Sequence, residues 1–332
     1  MTTWTRFGRL AATIALLGTT TLAAQADELR LASGFGDPHS SSRALASVFK
    51  DEVEANTDHT VEIFANSELG QATEMINQAQ SGINFGVYVS SAFFNAQVPD
   101  LGVTNLPFVF ESREKAFAVL DGPFGDELKA QFLDKGLEVL GFMELGFRNL
   151  TNSVRPIETP EDLAGLKIRL QKNPVHIATF EELGVSPIAI DWSETFAALR
   201  QGVIDGQENP YSVINTFQLY DANQKYLTDS GHFFDILVFA VSKRMMDSFS
   251  PEDQEAIREA GRLATLEQRR LAATEDAENL EALRAAGMEI TELTPEQRAA
   301  FQTATQPVYE LIGETLGADR VTAFVEAVKA AQ

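Results

Sequence analysis

In the stretch Leu166-Lys167-Ile168-Arg169-Leu170, strand alternation places the three aliphatic side chains on one face and turns Lys167 and Arg169 to the other. A planar guanidinium meets a carboxylate through two parallel hydrogen bonds, a geometry that lysine cannot reproduce. Arg169 is therefore a candidate anion anchor. Its plain alternative is a surface arginine in an ion pair, because the chain sets 48 Asp and Glu against 26 Lys and Arg. The net charge of -22 opposes an anionic ligand at long range, but a Debye length of about 8 Å confines that repulsion, so local cations must recognise any acid. Arg148, in Gly146-Phe147-Arg148-Asn149, is the second candidate, whereas Arg155 beside Pro156 reads as structural. Asn209 offers a donor and an acceptor, or else serves as a helix cap before Pro210.

Other kinds of chemistry lack their residues. The 332-residue chain has no cysteine, which removes thiol nucleophiles, disulfides and thiolate zinc sites. His39, His59, His176 and His232 form no HExxH or other close pairing, so no metal site is expected. The dinucleotide, P-loop and nucleophile-elbow motifs are absent. Acid pairs such as Glu181-Glu182, or Asp205 with Glu208, arise by chance in so acidic a chain and read as solvated surface. No catalytic residue and no cofactor are assigned, and a binder is the better reading than an enzyme. The acidic field also repels nucleic-acid phosphates.

The elements that must position these residues alternate. Glu28 to Ser33, Thr60 to Ala65 and Ile83 to Val89 read as strands, with helices at Pro38 to Glu54 and Gly70 to Gln80 between them. A second unit begins near residue 147: a helix start at Thr159-Pro160-Glu161-Asp162, strands at Leu166 to Leu170 and Ser186 to Ile190, and helices at Val175 to Leu183 and Ser193 to Gln201. This predicts α/β architecture, two domains with a ligand cleft between them, open at the carboxyl ends of the strands. From Ser250 the pattern predicts one helix to about Ala286, roughly 50 Å long and able to lie across both domains. Thr294-Pro295-Glu296-Gln297 starts another with a capping box.

At the N-terminus, Arg6 and Arg9 precede an uncharged run from Leu10 to Leu22, followed by Ala24-Gln25-Ala26. That order predicts a secretory signal cleaved after Ala26, because the run is well short of the roughly 20 residues needed to span a membrane. The expected product is an exported periplasmic protein that is not itself membrane-spanning.

Four stretches carry a resemblance: Leu69 to Gly82 (LGQATEMINQAQSG), Gly146 to Ile157 (GFRNLTNSVRPI), Leu163 to Leu170 (LAGLKIRL) and Asp191 to Tyr211 (DWSETFAALRQGVIDGQENPY). Together they resemble the solute receptors of tripartite ATP-independent periplasmic (TRAP) transporters, the DctP family, over essentially the whole mature chain. The resemblance implies a two-domain periplasmic-binding-protein fold that closes on a small organic acid and delivers it to a TRAP membrane permease. It implies that Arg169 forms the bidentate salt bridge to the ligand carboxylate, and it maps further ligand contacts onto Arg148, Asn209 and Trp192. The implied domains are 27–146 with about 234–273, and 147–233 with about 274–332, after a signal peptide at 1–26 and with the helix at about 250–286 shared.

Further candidates follow from strand ends. Phe35, Ser33 and His39 come after the first strand and Ser90 after the third, where the cleft should open, and Phe234 in GHFFD stands to close the site from the far side unless it packs in the core. Trp192 offers an indole face to a sugar ring or apolar edge, with core packing as the alternative. The ligand classes compatible with these residues are uronates, aldonates, dicarboxylates, keto acids and ectoine-like zwitterions. A sugar acid is weakly preferred, since two arginines, Asn209 and several hydroxyls suit a carboxylate with a polyol body. The competing functions are an exported enzyme acting on carboxylated sugars with paired carboxylates, and a sensor subunit presenting its ligand to a receptor.

Overall fold

The computed structural model describes residues 1–2 and 27–331. The expected signal peptide, with Trp4 and the cleavage after Ala26, lies outside the described residues apart from its first two. Among the described residues, no helix is long and apolar enough to cross a membrane.

Among the described residues nine strands form one sheet: β1 Glu28–Ala32, β2 Thr60–Phe64, β3 Gly86–Ser90, β4 Leu137–Asn152, β5 Lys167–Leu170, β6 Ser186–Ala189, β7 Gly206–Asn209, β8 Tyr226–Ser242 and β9 Glu289–Glu292. Their order is β2-β1-β3-β8-β4-β7-β5-β6, with β9 on β8. β1 pairs in parallel with β2 and β3 at one end, and β5 with β6 and β7 at the other. These are the two alternating units of the sequence. The antiparallel pair β4 and β8 runs between them through the middle of the sheet. It was not visible in the sequence pattern, for a physical reason. The pairing shifts register at Val139/Gly141, Glu144/Gly146 and Arg148/Leu150, and each bulge bends the strand and resets the alternation that would reveal it.

Most helices match expectation within two residues. The first runs through Ser40–Asn56 with one π-helical turn at Leu45–Phe49. Thr159 is a correction. Its capping box forms, but Pro160–Leu163 is a single 3-10 turn and no α-helix follows. The backbone instead turns through Gly165 at φ +79° directly into β5.

The long helix spans Pro251–Ala285, capped by Ser250 Oγ accepting from the Asp253 N–H at 3.0 Å. Its first half buries Ile257, Ala260, Gly261, Ala264, Thr265 and Gln268, and its second half only Leu283. Close approach to β4 requires two glycines. A Cβ at 261 would stand 2.7 Å from that of Leu140, and one at 141 would stand 2.0 Å from Thr265 Oγ1.

Candidate functional site

Six parallel strands of the two end units point their carboxyl ends at one cavity. Gly34, Phe35 and Ser67 follow β1 and β2, and Ser90 ends β3. From the other side come Arg169 and Gln171 of β5, Asp191 and Trp192 after β6, and Asn209 at the end of β7. Met75, Val89, Phe93, Leu145 and Val213 supply an apolar wall. The two sides are close: a Cβ at Gly34 would lie 3.4 Å from Trp192 Cδ1.

Arg169 is 1% exposed. Leu166, Ile168 and Leu170 pack into the core on the opposite face of the strand, as alternation requires. The Nε of Arg169 donates to the Ile190 carbonyl at 3.0 Å, and among the described residues its Nη2 has no acceptor and no carboxylate lies within 4 Å of it. Burial lowers its pKa to about 10, against the pull of Glu208 and Asp191 and with the push of Arg148. The side chain is thus a charged, desolvated fork at the cavity wall. Its guanidinium carbon stands 5.6 Å from the Trp192 ring centre, and the indole meets Phe217 edge-on at 4.7 Å, so Trp192 packs in the core and lines the cavity at once.

Arg148 is equally buried but differs in place and partners. The structure places it off the cavity, fully buried. Its Nε and Nη2 donate to the Glu208 carboxylate, Nη2 also to the Glu208 carbonyl, and Nη1 to Asp235 at 2.7 Å. Four of its five N–H groups are thereby engaged. Glu208 is not a solvated surface acid but lies at 0% exposure. Burial pushes its pKa up, and Arg148 with His232 outweighs that to hold it well below the usual carboxylate range. The triad supports the cavity from behind. Glu208 precedes Asn209 on β7, and Asp235 accepts both approaches of Ser90 Oγ, at 2.9 and 2.8 Å.

Two further expected contacts also lie off the cavity. Phe234 sits in the core, edge-on to Phe147, Phe117 and Phe110 at 5.0, 5.7 and 5.9 Å. On β8 it shares parity with Ile236 and Val238, one step out of register with Asp235, so it faces away. His39 is the N-cap of the first helix, with Nδ1 2.8 Å from Ser41 Oγ, and it stacks on Phe35 at 4.4 Å. Burial lowers its pKa to about 3, which keeps the ring neutral behind a residue that does line the cavity. Ser33, also behind the wall, accepts from the Phe35 N–H and donates to the Tyr88 carbonyl. The sequence reading missed Gln171 and Asp191. Gln171 was legible, since it lies two residues beyond Arg169 and so on the same face.

Below the cavity, the bulge at Glu144 ties the long helix to the middle of the sheet. Gln268 accepts from the Glu144 N–H and donates to its carbonyl, both at 2.7 Å, and donates to Ser40 Oγ at 3.1 Å. The Glu144 carboxylate is 2% exposed, and Arg113 Nη2 stands 3.4 Å from it and 3.2 Å from Asp276 on the helix. Burial raises the Glu144 pKa to about 7, opposed by Arg113 and assisted by Asp276. An acid with a raised folded pKa binds its proton more tightly in the native state. Its contribution to stability is therefore full below about pH 4.5 and is lost as pH rises through about 7. Wild type should accordingly lose roughly 1–3 kcal/mol between pH 5 and pH 8 relative to Glu144→Gln. Urea unfolding of both proteins at the two pH values measures this, and an equal difference at both would contradict it.

Residues 33–315 match the family model of the bacterial extracellular solute-binding proteins, family 7, DctP. The chain is similar to the 2,3-diketo-L-gulonate-binding periplasmic protein YiaO of Escherichia coli strain K12, at 33% identity over 88% of each chain. Its structure is similar to that of the sugar acid binding protein DctPAm of Advenella mimigardefordensis in complex with galactonate, with a TM-score of 0.90 at 32% identity, covering 93% of this chain and 100% of that one. A TRAP periplasmic solute binding protein from Polaromonas sp. JS666, bound to D-erythronate, is similar with a TM-score of 0.86 at 33% identity, covering 90% and 98%.

Proposed function

The chain belongs to the DctP family, bacterial extracellular solute-binding protein family 7, and is a TRAP solute-binding receptor; on that premise we propose that it captures a sugar acid in the cavity between its two units, with the ligand carboxylate on Arg169. The observation that carries this reading is the state of Arg169: charged, buried and without a carboxylate of its own. A desolvated guanidinium lacking an anion is costly unless an anion arrives. YiaO and DctPAm are named for sugar acids, which supports the polyol body. Phe35, Ser90, Trp192 and Asn209 line the same cavity and complete the proposed contact set, while Arg148, His39 and Phe234 act by positioning or packing.

The enzyme alternative needs two carboxylates flanking the ligand. Among the described residues lining the cavity Asp191 is the one carboxylate, and the buried pair Glu208 and Asp235 is committed to Arg148. We therefore read the protein as a receptor without catalysis, exported to the periplasm by cleavage after Ala26 and serving a TRAP permease.

The test uses Trp192, the one tryptophan of a protein beginning at Asp27. Titration with galactonate or D-erythronate is expected to shift its emission and reduce acrylamide quenching, along the isotherm that calorimetry gives for the same acid. Calorimetric binding with a constant tryptophan signal would take Trp192 out of the site. Absence of binding to any hydroxy acid would count against the sugar-acid reading itself.

A further inference from the structure

Among the described residues the cavity wall carries one cation, Arg169, and one anion, Asp191. Asp191 is 4% exposed. It is the N-cap of the helix Trp192–Arg200, and its Oδ1 accepts from the Ser193 N–H at 3.1 Å and from Ser193 Oγ at 2.9 Å. Among the described residues its Oδ2 accepts no hydrogen bond, and no arginine or lysine nitrogen lies within 4 Å of it. Arg169 is near enough to feel its charge but does not pair with it. Gln171, 4% exposed on the same wall, likewise presents an Oε1 without a donor. Asn209 spends an N–H on Gln207 Oε1, and Ser90 spends its proton on Asp235. Among the described residues of the wall, then, Asp191 Oδ2 and Gln171 Oε1 are unengaged acceptors beside one cation, and Asp191 is the one anionic acceptor.

We propose that Asp191 is a specificity residue of this receptor: its free carboxylate oxygen takes a hydrogen bond from a ligand hydroxyl and repels a second carboxylate. The site thereby selects hydroxylated monocarboxylates over dicarboxylates. This rests on the reading that Arg169 anchors the carboxylate. A second ligand carboxylate would meet Asp191 with no second cation at the wall, and a ligand without donors would leave Asp191 and Gln171 buried and unpaired.

The experiment measures calorimetric affinities of the protein from Asp27 onward for galactonate, D-erythronate, succinate and ectoine, in wild type, Asp191→Asn and Arg169→Ala. Asparagine caps a helix as well as aspartate, so Asp191→Asn should fold with an unchanged circular dichroism spectrum and removes only the charge. Wild type is expected to bind at least one hydroxy acid 30-fold or more tighter than succinate. Asp191→Asn should weaken that acid about tenfold and narrow the preference to threefold or less. Wild type that binds neither hydroxy acid, takes succinate within threefold of the better one, or prefers ectoine overturns the proposal. So does an unchanged preference in Asp191→Asn. If Arg169→Ala abolishes binding while Asp191→Asn changes nothing, the Asp191 proposal alone falls. If Arg169→Ala binds as wild type does, the anchor reading falls with it.

Discussion

Replacing Arg148 with methionine is expected to destabilise the protein by about 3–5 kcal/mol, the scale for removing one member of a buried ion cluster. Arg148 joins three strands at the middle of the sheet: it belongs to β4, Glu208 to β7 and Asp235 to β8. All three side chains are fully buried. Methionine fills much of the volume but leaves two carboxylates in a desolvated site with no cation in contact. Against a typical total of roughly 5–15 kcal/mol that is a large fraction, and a midpoint lower by about 10 °C would register it. The loss has a pH signature. With Arg148 in place, Glu208 stays ionised far below the usual range; without it, burial pushes both acids toward the neutral form, so between pH 7 and pH 5 the variant should gain more stability than the Glu144 contribution gives wild type. Lysine should fail too, since one ammonium cannot span the carboxylate and carbonyl of Glu208 together with Asp235. Thermal unfolding of Arg148→Met at pH 7 and pH 5 decides the matter, and a variant as stable as wild type at pH 7 would remove the triad from the account of the fold.

The two arginines show what was legible in the chain and what was not. Both stand on strands in apolar company, and both invite an anion. Arg169 could be placed because alternation in its own five residues fixes the face it occupies. The fate of Arg148 is set by Glu208 and Asp235, 60 and 87 residues away, and no local pattern reports a partner brought in by topology. Phe234 illustrates a finer limit. The sequence left cleft and core open for it, and the structure packs it in the core, because one residue of register turns a strand side chain to the other face. At the parallel ends of the sheet β1, β2, β5 and β6 were readable to within about one residue, whereas β3 starts at Gly86 instead of Ile83 and β7 was not read as a strand. The central strands β4 and β8 were not, since three register shifts interrupt their alternation. At Thr159 the capping signal was real and the helix absent: a cap satisfies the first N–H groups but does not propagate a helix past a glycine that turns the chain left-handed.

Arg169→Ala should give the opposite pattern to Arg148→Met: binding lost, fold kept. Truncating a buried arginine that pairs with a ligand carboxylate leaves the anion desolvated and alone, which costs about 3–5 kcal/mol, or roughly two to three and a half powers of ten in Kd. Lysine should recover little, for want of the second parallel hydrogen bond. In the free protein the balance runs the other way. The pKa of Arg169, lowered to about 10, means that burial disfavours its charged form. With the ordinary value near 12.5, that amounts to about 3 kcal/mol of destabilisation at neutral pH, relieved only as pH rises through 10. Set against it are one hydrogen bond to the Ile190 carbonyl and the approach to Trp192, each worth about 1 kcal/mol. The ligand-free Arg169→Ala protein should therefore melt at or above the wild-type temperature. Its midpoint should no longer rise on adding a hydroxy acid that raises the wild-type midpoint through RT ln(1 + [L]/Kd). Scanning calorimetry of both proteins, with and without galactonate, reads all four numbers. A binding loss below tenfold would show that the carboxylate rests elsewhere. A free protein that melts several degrees low would show that Arg169 holds the fold together, as Arg148 does, instead of holding a charge in readiness for an acid.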